Sequence, residues 1–364
     1  MSLSNDEQII EVLQSVTVPY LNQTLVSAKA IKNIKVTADT IEIKIVLGFP
    51  ANRCKEQLTQ QISEILQAKF PNKKLLITVD WQIEAHAVQQ NVKGLAGVKN
   101  IIAVASGKGG VGKSTTAVNL ALALSLEGAR VGILDADIYG PNQPQMLGIT
   151  DHPETTDEKK LKPLIKYNIQ AMSIGFLIAQ EDTPMVWRGP MVSTALQQLL
   201  YDTQWDNLEY LIIDLPPGTG DIQLTLAQKI PVSGAIIITT PQDIALLDVK
   251  KAVRMFEKVR VPVLGVVENM STYLCPHCGQ EEAIFGSGGA DKIAAQYQLE
   301  VLGHLPLALK IRADVDAGKP TVIADVESSI AQTYREIACK TAAQLSLQSK
   351  NYGLKFPKIV VENR

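Results

Sequence analysis

The chain has 364 residues, of which 46% are hydrophobic and 20% are charged, and its formal net charge at neutral pH is -2. This balance and length favour a globular protein with one large and one small domain, and the weak negative charge gives no reason to expect nucleic acid as a partner. Its apolar runs are far shorter than the roughly 20 residues that cross a bilayer, and its four cysteines are too few for a disulfide framework, so we expect a cytoplasmic protein without membrane insertion.

The first 84 residues predict a small α+β domain. Apolar spacing predicts a helix over 5–15, and the segment 31–36 is expected to form a hairpin with the alternating strand "TIEIKIVLG". A helix in "ANRCKEQLTQQISEILQAKF" and a strand in "KKLLITVDW" complete an αββαβ unit. The segment 85–96 shows neither the helical nor the strand spacing of apolar residues, and it is predicted to be a linker.

The pattern changes over residues 97–350, which predict the larger domain. Strand-length runs that are apolar on both faces alternate with helices, which is typical of the doubly wound α/β architecture with a mostly parallel sheet. Ligands of such sheets bind beyond the carboxyl ends of the strands. The tail 351–364 is predicted to be a loose extension or a strand packed on a neighbour.

A glycine-rich loop follows the first strand of this domain. The segment "GKGGVGKST" matches G-x-x-x-x-G-K-[ST] between a predicted strand and a predicted helix, the context that a phosphate-binding P-loop requires. Backbone N–H groups and the helix N-terminus attract phosphate oxygens, Lys113 meets the β and γ phosphates, and Ser114 can ligate Mg2+. The predicted nucleotide-binding residues are Gly107, Lys108, Gly109, Gly110, Val111, Gly112, Lys113, Ser114 and Thr115. A glycine-rich turn without a ligand is the alternative, and we favour a nucleoside triphosphate.

A second lysine inside this loop, Lys108, gives the form "KGGVGKS", which resembles the deviant Walker A group of MinD, ParA and the nitrogenase iron protein. In that group the early lysine reaches the partner's nucleotide across a dimer, so the resemblance implies that Lys108 is catalytic in trans, beside Lys113. It also implies that Asp137, in "LDADIYG", orients or activates the attacking water. Asn269 has the position that reads adenine in this group. A solvated loop lysine and a turn asparagine are the alternatives for Lys108 and Asn269.

A further aspartate ends the strand in "YLIIDLPPGTGD". Four apolar residues before Asp214 form a Walker B pattern, whose carboxylate is expected to hold Mg2+ directly or through water. A helix N-cap is the alternative for such an aspartate, and the upstream P-loop favours the magnesium site. The turn after it is predicted to act as a switch that senses the γ-phosphate, and its residues are Pro217, Gly218, Thr219 and Asp221.

The cysteines in "STYLCPHCGQ" have the spacing of half a four-ligand metal site. Zinc, a redox dithiol and an iron-sulfur cluster are all compatible with the pair Cys275 and Cys278. The remaining cysteines stand alone, Cys54 in the first domain and Cys339 at helical spacing with apolar residues, and the four histidines show no paired spacing. The site does not close within one chain, whereas a two-fold homodimer would bring both pairs together.

Five segments in order resemble the Mrp/ApbC family of ATP-dependent iron-sulfur cluster carriers: "GKGGVGKST", "LDADIYGPN", "DLPPGTGD", "TTPQDIALLDVKKAV" and "VVENMSTYLCPHCG". The likeness runs over 97–345, and the first domain resembles that of iron-sulfur assembly proteins. The resemblance implies a homodimeric ATPase that uses ATP and Mg2+, holds a 4Fe-4S cluster through Cys275 and Cys278 of both chains, and delivers it to apo iron-sulfur proteins. Cluster scaffold proteins are the other partners that it implies.

The rival hypothesis is a MinD/ParA-like positioning ATPase with structural zinc at the same dimer site. The mild acidity of the chain and the "CPHC" segment count against it. Electron transfer of the nitrogenase iron protein type needs cluster ligands from two separate loops, which this spacing does not offer.

Overall fold

The first part of the chain forms a small unit of two helices and three strands. The computed structural model describes residues 5–89, 92–156, 160–177, 189–275, 277–278 and 280–350. Its first elements are, in chain order, α1 (Asn5–Leu13), β1 (Ile31–Val36), β2 (Thr40–Leu47), α2 (Lys55–Lys69) and β3 (Lys74–Trp81). The predicted αββαβ order is therefore confirmed.

Strand β2 lies at the centre of this sheet, antiparallel to β1 and parallel to β3. Its alternate side chains Ile41, Ile43 and Ile45 are fully buried, as the period of two predicts. Helix α2 buries Leu58 and Ile62, which lie four residues apart and so on one helix face. The small core thus forms between one face of the sheet and the apolar stripe of a helix.

The second part of the chain alternates strands and helices. Its elements are β4 (Val98–Ser106), α3 (Lys113–Leu126), β5 (Val131–Asp135), α4 (Gln143–Leu147), β6 (Leu164–Lys166), β7 (Ile169–Ser173), α5 (Gly189–Asp202), β8 (Leu208–Asp214), α6 (Asp221–Lys229), β9 (Gly234–Thr239), α7 (Asp243–Lys258), β10 (Val263–Glu268), β11 (Tyr273–Leu274), β12 (Glu281–Glu282), α8 (Gly289–Tyr297), β13 (Val301–His304), α9 (Leu309–Asp316), α10 (Thr321–Ala324) and α11 (Ser329–Ser346). A short 3-10 turn covers Ile174–Phe176.

Within the described ranges β11 and β12 form a separate hairpin, and the other eight of these ten strands form one sheet in the order β13-β10-β9-β4-β8-β5-β7-β6. Every neighbouring pair is parallel except β6 with β7 at the edge. Strands β8 and β9 are buried along their whole length, because helices cover both faces. The predicted doubly wound α/β class is confirmed, and the carboxyl ends of β4, β5, β8 and β10 share one edge.

The two sheets are joined through the far end of α3. Glu127, which follows that helix, is fully buried and accepts hydrogen bonds from the backbone N–H of Arg53 at 2.9 Å and from Nε of Arg335 at 2.7 Å. Gly128 has a φ of 99°, and an added Cβ there would lie 2.8 Å from Asn52 and Trp81. The first unit therefore packs against α3 and α11 through buried polar contacts.

The edge strand β6, its neighbour β7 and the short helix α4 were not predicted, because each is too short to show a periodicity. No helix in the described ranges combines the length and the apolar character that crossing a membrane requires. The tail 351–364 lies outside the described residues. The division into 1–84, a linker at 85–96 and 97–350 stays a prediction.

Candidate functional site

The loop between β4 and α3 has the backbone of a phosphate cradle. Gly110 and Gly112 adopt φ values of 80° and 81°, which favour glycine. A Cβ on Gly107 would lie 2.5 Å from the carbonyl carbon of Asp248, and a Cβ on Gly112 would collide with the carboxamide of Asn269. The loop then enters α3, whose first residue is Lys113, so its N–H groups lie at a helix N-terminus. These residues fit an anionic ligand such as a nucleotide phosphate.

Lys113 points to the end of β8. Its ammonium forms an ion pair with Oδ1 of Asp214 and lies 3.2 Å from Oγ of Ser114. The side chains of Lys113 and Asp214 are only 6% and 1% exposed. The structure thus brings together the lysine, hydroxyl and carboxylate that the sequence assigned to phosphate and Mg2+.

Gln143, at the start of α4, joins the same cluster. Its Nε2 donates to the backbone oxygen of Ser114 at 3.1 Å and to Oδ2 of Asp214 at 3.0 Å. Its backbone N–H donates to Oδ2 of Asp135, which also accepts from Oγ of Ser173, both at 3.1 Å. Burial and the neighbouring charge of Asp214 raise the pKa of Asp135.

Asp137 is half-buried beside this cluster. Its backbone N–H donates to Oδ1 of Asp135 at 3.1 Å, so the fully buried Asp135 holds the turn that carries Asp137. Burial raises the pKa of Asp137, and the charge of Lys113 opposes that shift. The carboxyl of Asp137 therefore lies near both the positive charge of Lys113 and the negative charge of Asp214.

The predicted switch segment lies against the P-loop. The backbone N–H of Gly218 donates to the oxygen of Ser106 at 3.0 Å, and a Cβ on Gly109 would be 3.9 Å from Cγ of Pro217. Thr219 is half-buried, and Asp221 begins α6 with its side chain outside the described part of the structure.

Lys108 is part of the P-loop, whereas Asn269 follows β10 and contacts the loop from outside. Lys108 is half-buried, and its ammonium has no hydrogen-bond or ion-pair partner among the described residues. Asn269 is buried, and its Nδ2 donates to the oxygen of Val111 at 2.9 Å. Thr115 is half-buried in the first turn of α3. The carboxamide of Asn269 therefore holds the P-loop backbone, and its contact with adenine stays a prediction.

The cysteine pair is carried by a small hairpin beyond β10. Strands β11 and β12 pair through Tyr273 and Glu282, and the N–H of Cys275 donates to the oxygen of Gln280 at 2.9 Å. Cys275 is half-buried and Cys278 is exposed. The backbone N–H groups of Cys278 and His277, with the Cys278 thiol, lower the pKa of Cys275. A thiolate is the form that binds metals and clusters.

The other two cysteines lie elsewhere. Cys54 precedes α2 and Cys339 lies in α11, and both are buried. Burial raises the pKa of Cys54 to about 11 and also raises that of Cys339, so both stay protonated thiols. The described residues contain no group of three or more His, Cys, Asp or Glu side chains suited to one metal ion.

Two family profiles match the sequence. Residues 97–342 match the family described as NUBPL iron-transfer P-loop NTPase, and residues 6–74 match the family described as iron-sulfur cluster assembly protein. The chain belongs to the NUBPL iron-transfer P-loop NTPase family. As a member of this family with an intact P-loop, the protein is an ATPase.

Curated members of the family are similar over most of their length. The iron-sulfur cluster carrier protein of Haemophilus influenzae is 50% identical over 349 residues, which cover 96% of this chain and 94% of that protein. The mouse iron-sulfur cluster transfer protein NUBPL is 50% identical over 255 residues, 70% of this chain and 80% of that protein.

Solved structures match the ATPase part. A nucleotide-binding protein from Archaeoglobus fulgidus in complex with ADP has a TM-score of 0.57 and 36% identity, covering 65% of this chain and 92% of that one. The cell division ATPase MinD of Pyrococcus furiosus, with a TM-score of 0.50 and 23% identity, covers 66% of this chain and 97% of its own; this likeness shows the fold alone.

Two residues of the cluster were missed at the sequence level, Gln143 and Ser173. Neither belongs to a recurring motif. The signal for Gln143 is its place beside Pro144 at a helix start, a few residues after a strand that ends in Asp135. Ser173 carries no such signal, because its position at the end of β7 beside β5 appears only in the structure.

Proposed function

We propose that the protein is an iron-sulfur cluster carrier that binds a 4Fe-4S cluster between two copies of the chain and transfers it to apoproteins, with ATP binding and hydrolysis driving the cycle. The observation that carries this proposal is the solvent-accessible thiol pair of Cys275, which is half-buried, and Cys278, which is exposed, on a hairpin of an ATPase. The hairpin begins four residues after Asn269, which contacts the P-loop, so a nucleotide and a cluster would occupy neighbouring parts of one sheet edge.

The nucleotide site is proposed to hold Mg-ATP. The N–H groups of 107–115 and the ammonium of Lys113 would bind the phosphates, while Ser114 and Asp214 would hold Mg2+. The ion would neutralise charge on the phosphates. Because Lys113 is already ion-paired with Asp214, bound phosphate would take over the ammonium and leave the carboxylate to the cation.

Lys108 and Asp137 are proposed to complete the catalytic group. Lys108 has no partner among the residues described, which suits a side chain that contacts the nucleotide of a second copy. Asp137, held by Asp135 through its backbone, would orient the attacking water. The segment with Pro217, Gly218, Thr219 and Asp221 would respond to the γ-phosphate, because it lies on the P-loop at Gly109.

The cluster is proposed to be cargo shared by two chains. A 4Fe-4S cluster takes four thiolates, and one chain offers two that are accessible. A two-fold axis beside the hairpin supplies the other two from the same residues of the partner. An exposed position suits release to an apoprotein, because the recipient thiols reach the cluster without unfolding of the carrier. Cluster scaffold proteins would load the same face.

The experiment is anaerobic reconstitution with iron and sulfide, followed by metal analysis, an absorption spectrum and determination of the oligomeric state. We expect about four irons per dimer for the wild type and none for Cys275→Ala or Cys278→Ala, because each variant removes two of the four thiolates. Cys54→Ala, which removes a buried thiol, is the matched control and should reconstitute normally. Full iron loading of Cys275→Ala contradicts the cluster site, and zinc in place of iron supports a positioning ATPase with structural zinc.

A second measurement tests delivery. Lys113→Arg should load a cluster as the wild type does but transfer it slowly to an apo-ferredoxin in the presence of ATP, because hydrolysis is lost. Equal transfer by the two proteins would separate cluster delivery from the ATPase.

A further inference from the structure

Gln143 is buried between the residues proposed to hold Mg2+. It is only 1% exposed, and its side-chain nitrogen contacts both the backbone oxygen of Ser114 and the carboxylate of Asp214. These two contacts fix the side chain of Gln143 between the P-loop helix and the end of β8.

The orientation of this amide follows from its partners. A backbone oxygen and a carboxylate oxygen accept hydrogen bonds but do not donate them, so the group that faces both is the NH2 end. The carbonyl oxygen Oε1 of Gln143 therefore points away from them. It is buried and has no hydrogen-bond partner within the described residues. Buried acceptors normally have a donor, and the described residues do not provide one for this oxygen.

We propose that Gln143 is a positioning residue for magnesium, which holds Asp214 through its amide nitrogen and accepts a hydrogen bond through Oε1 from a water bound to the ion. This inference rests on the proposed Mg-nucleotide site. Mg2+ dehydrates reluctantly and keeps several bound waters in protein sites. These waters donate hydrogen bonds, so they are the donors expected beside the residues that hold the ion. Residues that hydrogen-bond to the ligands of a metal, and not to the metal itself, orient those ligands and tune the affinity for the metal.

A purely structural role for Gln143 does not account for Oε1. The contacts of its nitrogen and of its backbone N–H with Asp135 tie α4 to the ends of β5 and β8. The carbonyl oxygen takes part in none of them. If the role of Gln143 were purely structural, replacing its side chain would change nucleotide affinity by the same factor with and without Mg2+.

The experiment compares the affinity of a non-hydrolysable ATP analogue in Mg2+ and in EDTA by calorimetry. Gln143→Leu removes both polar atoms at similar size. We expect it to reduce the gain in affinity that Mg2+ provides about 10-fold, the low end for partners of metal ligands, while affinity in EDTA changes far less. Gln145→Leu, two residues along α4 and exposed, is the matched control and should keep the wild-type gain.

The outcomes separate this inference from the function on which it rests. A wild-type gain in Gln143→Leu overturns the role of Gln143 alone. A wild-type protein whose affinity does not respond to Mg2+ overturns the magnesium site as well.

Gln143→Glu provides a second measurement if the leucine variant does not fold. It keeps an acceptor oxygen but places a carboxylate against Asp214, so the variant should melt at a lower temperature than the wild type in EDTA. Mg2+ with the analogue should raise its melting temperature by more than it raises that of the wild type. An equal or smaller rise contradicts the proposal.

Discussion

Lys113 and Asp214 form a buried ion pair that links the P-loop helix to the end of β8. Each side chain would be costly to bury alone, because a charge in the interior loses its hydration. Each side chain therefore offsets the charge of the other, and a bound nucleotide with its cation would take over both roles.

Replacing Lys113 by alanine should destabilise the protein as well as prevent hydrolysis. The variant leaves the carboxylate of Asp214 buried without its counter-ion, which typically costs about 3 kcal/mol or more. Urea unfolding without nucleotide measures this loss. Lys108→Ala is the control, because that lysine has no partner among the described residues and its loss should change stability by less than about 0.5 kcal/mol. A Lys113→Ala protein as stable as the control would show that the ion pair contributes nothing.

Lys108 should act on the nucleotide of the other copy. Lys108→Ala is expected to lower ATP hydrolysis about 100-fold or more while ATP still binds, because the lost charge acts in the transition state. The sharper test mixes it with Lys113→Arg, which binds or hydrolyses poorly but retains its own Lys108. Mixed dimers then contain one site with both lysines, so activity should return on mixing. Two inactive proteins that stay inactive after subunit exchange would contradict action in trans.

The architecture of the ATPase part was predictable because its central strands are buried on both faces. The run "YLII" at 210–213 is apolar throughout and ends at Asp214, a pattern typical of a strand buried on both faces. The edge strand Leu164–Lys166 has three residues and none of them is buried, so its sequence resembles a loop.

Some residues of the candidate site were predictable from the sequence and others were not. Lys113 and Asp214 belong to motifs whose spacing reflects contact with a phosphate and a metal, and the structure brings them together as expected. Gln143 and Glu127 owe their positions to packing between elements far apart in the chain. Their burial appears only once the sheet and the first unit are assembled, so the sequence around them, including Pro144 beside Gln143, does not show that these side chains are buried.

The thiols should divide into two classes during alkylation at neutral pH. Cys275 and Cys278 are accessible, and the lowered pKa of Cys275 increases its thiolate fraction. Cys54 and Cys339 are buried, with raised pKa values. Iodoacetamide should therefore modify two of the four cysteines in the native protein and all four after denaturation, as mass spectrometry of peptides can show. Fast modification of Cys54 in the native protein would contradict its burial.

Glu127 should control how firmly the first unit is attached. Glu127→Ala leaves the N–H of Arg53 and the partly buried guanidinium of Arg335 without their acceptor, at a cost of about 3 kcal/mol. The amide of Arg53 should exchange hydrogen faster, while amides inside β4 should not. Glu127→Gln keeps a carbonyl oxygen for one donor and should have a smaller effect. Unchanged exchange at Arg53 in the alanine variant would show that other contacts hold the unit.

His304 and Glu268 should give the protein a pH-dependent stability. The Nδ1 of His304 lies 3.2 Å from Oε1 of Glu268, which is 2% exposed. The hydrogen bond with Glu268 raises the pKa of His304. Burial acts to raise the pKa of Glu268, but hydrogen bonds from His304 and the N–H of Ala290 outweigh it and lower that pKa.

The sign of the effect follows from both shifts. The contribution of His304 is complete below its unfolded pKa of about 6.5 and is lost as the pH rises through its higher folded value. That of Glu268 is present above an unfolded pKa of about 4.3 and is lost as the pH falls through its lower folded value. His304→Asn should therefore reduce the free energy of unfolding most at about pH 5.5 and least at about pH 8.5. In a Glu268→Gln background the same substitution should have one effect at both pH values, and a pH-independent effect in the wild-type background would contradict the pairing.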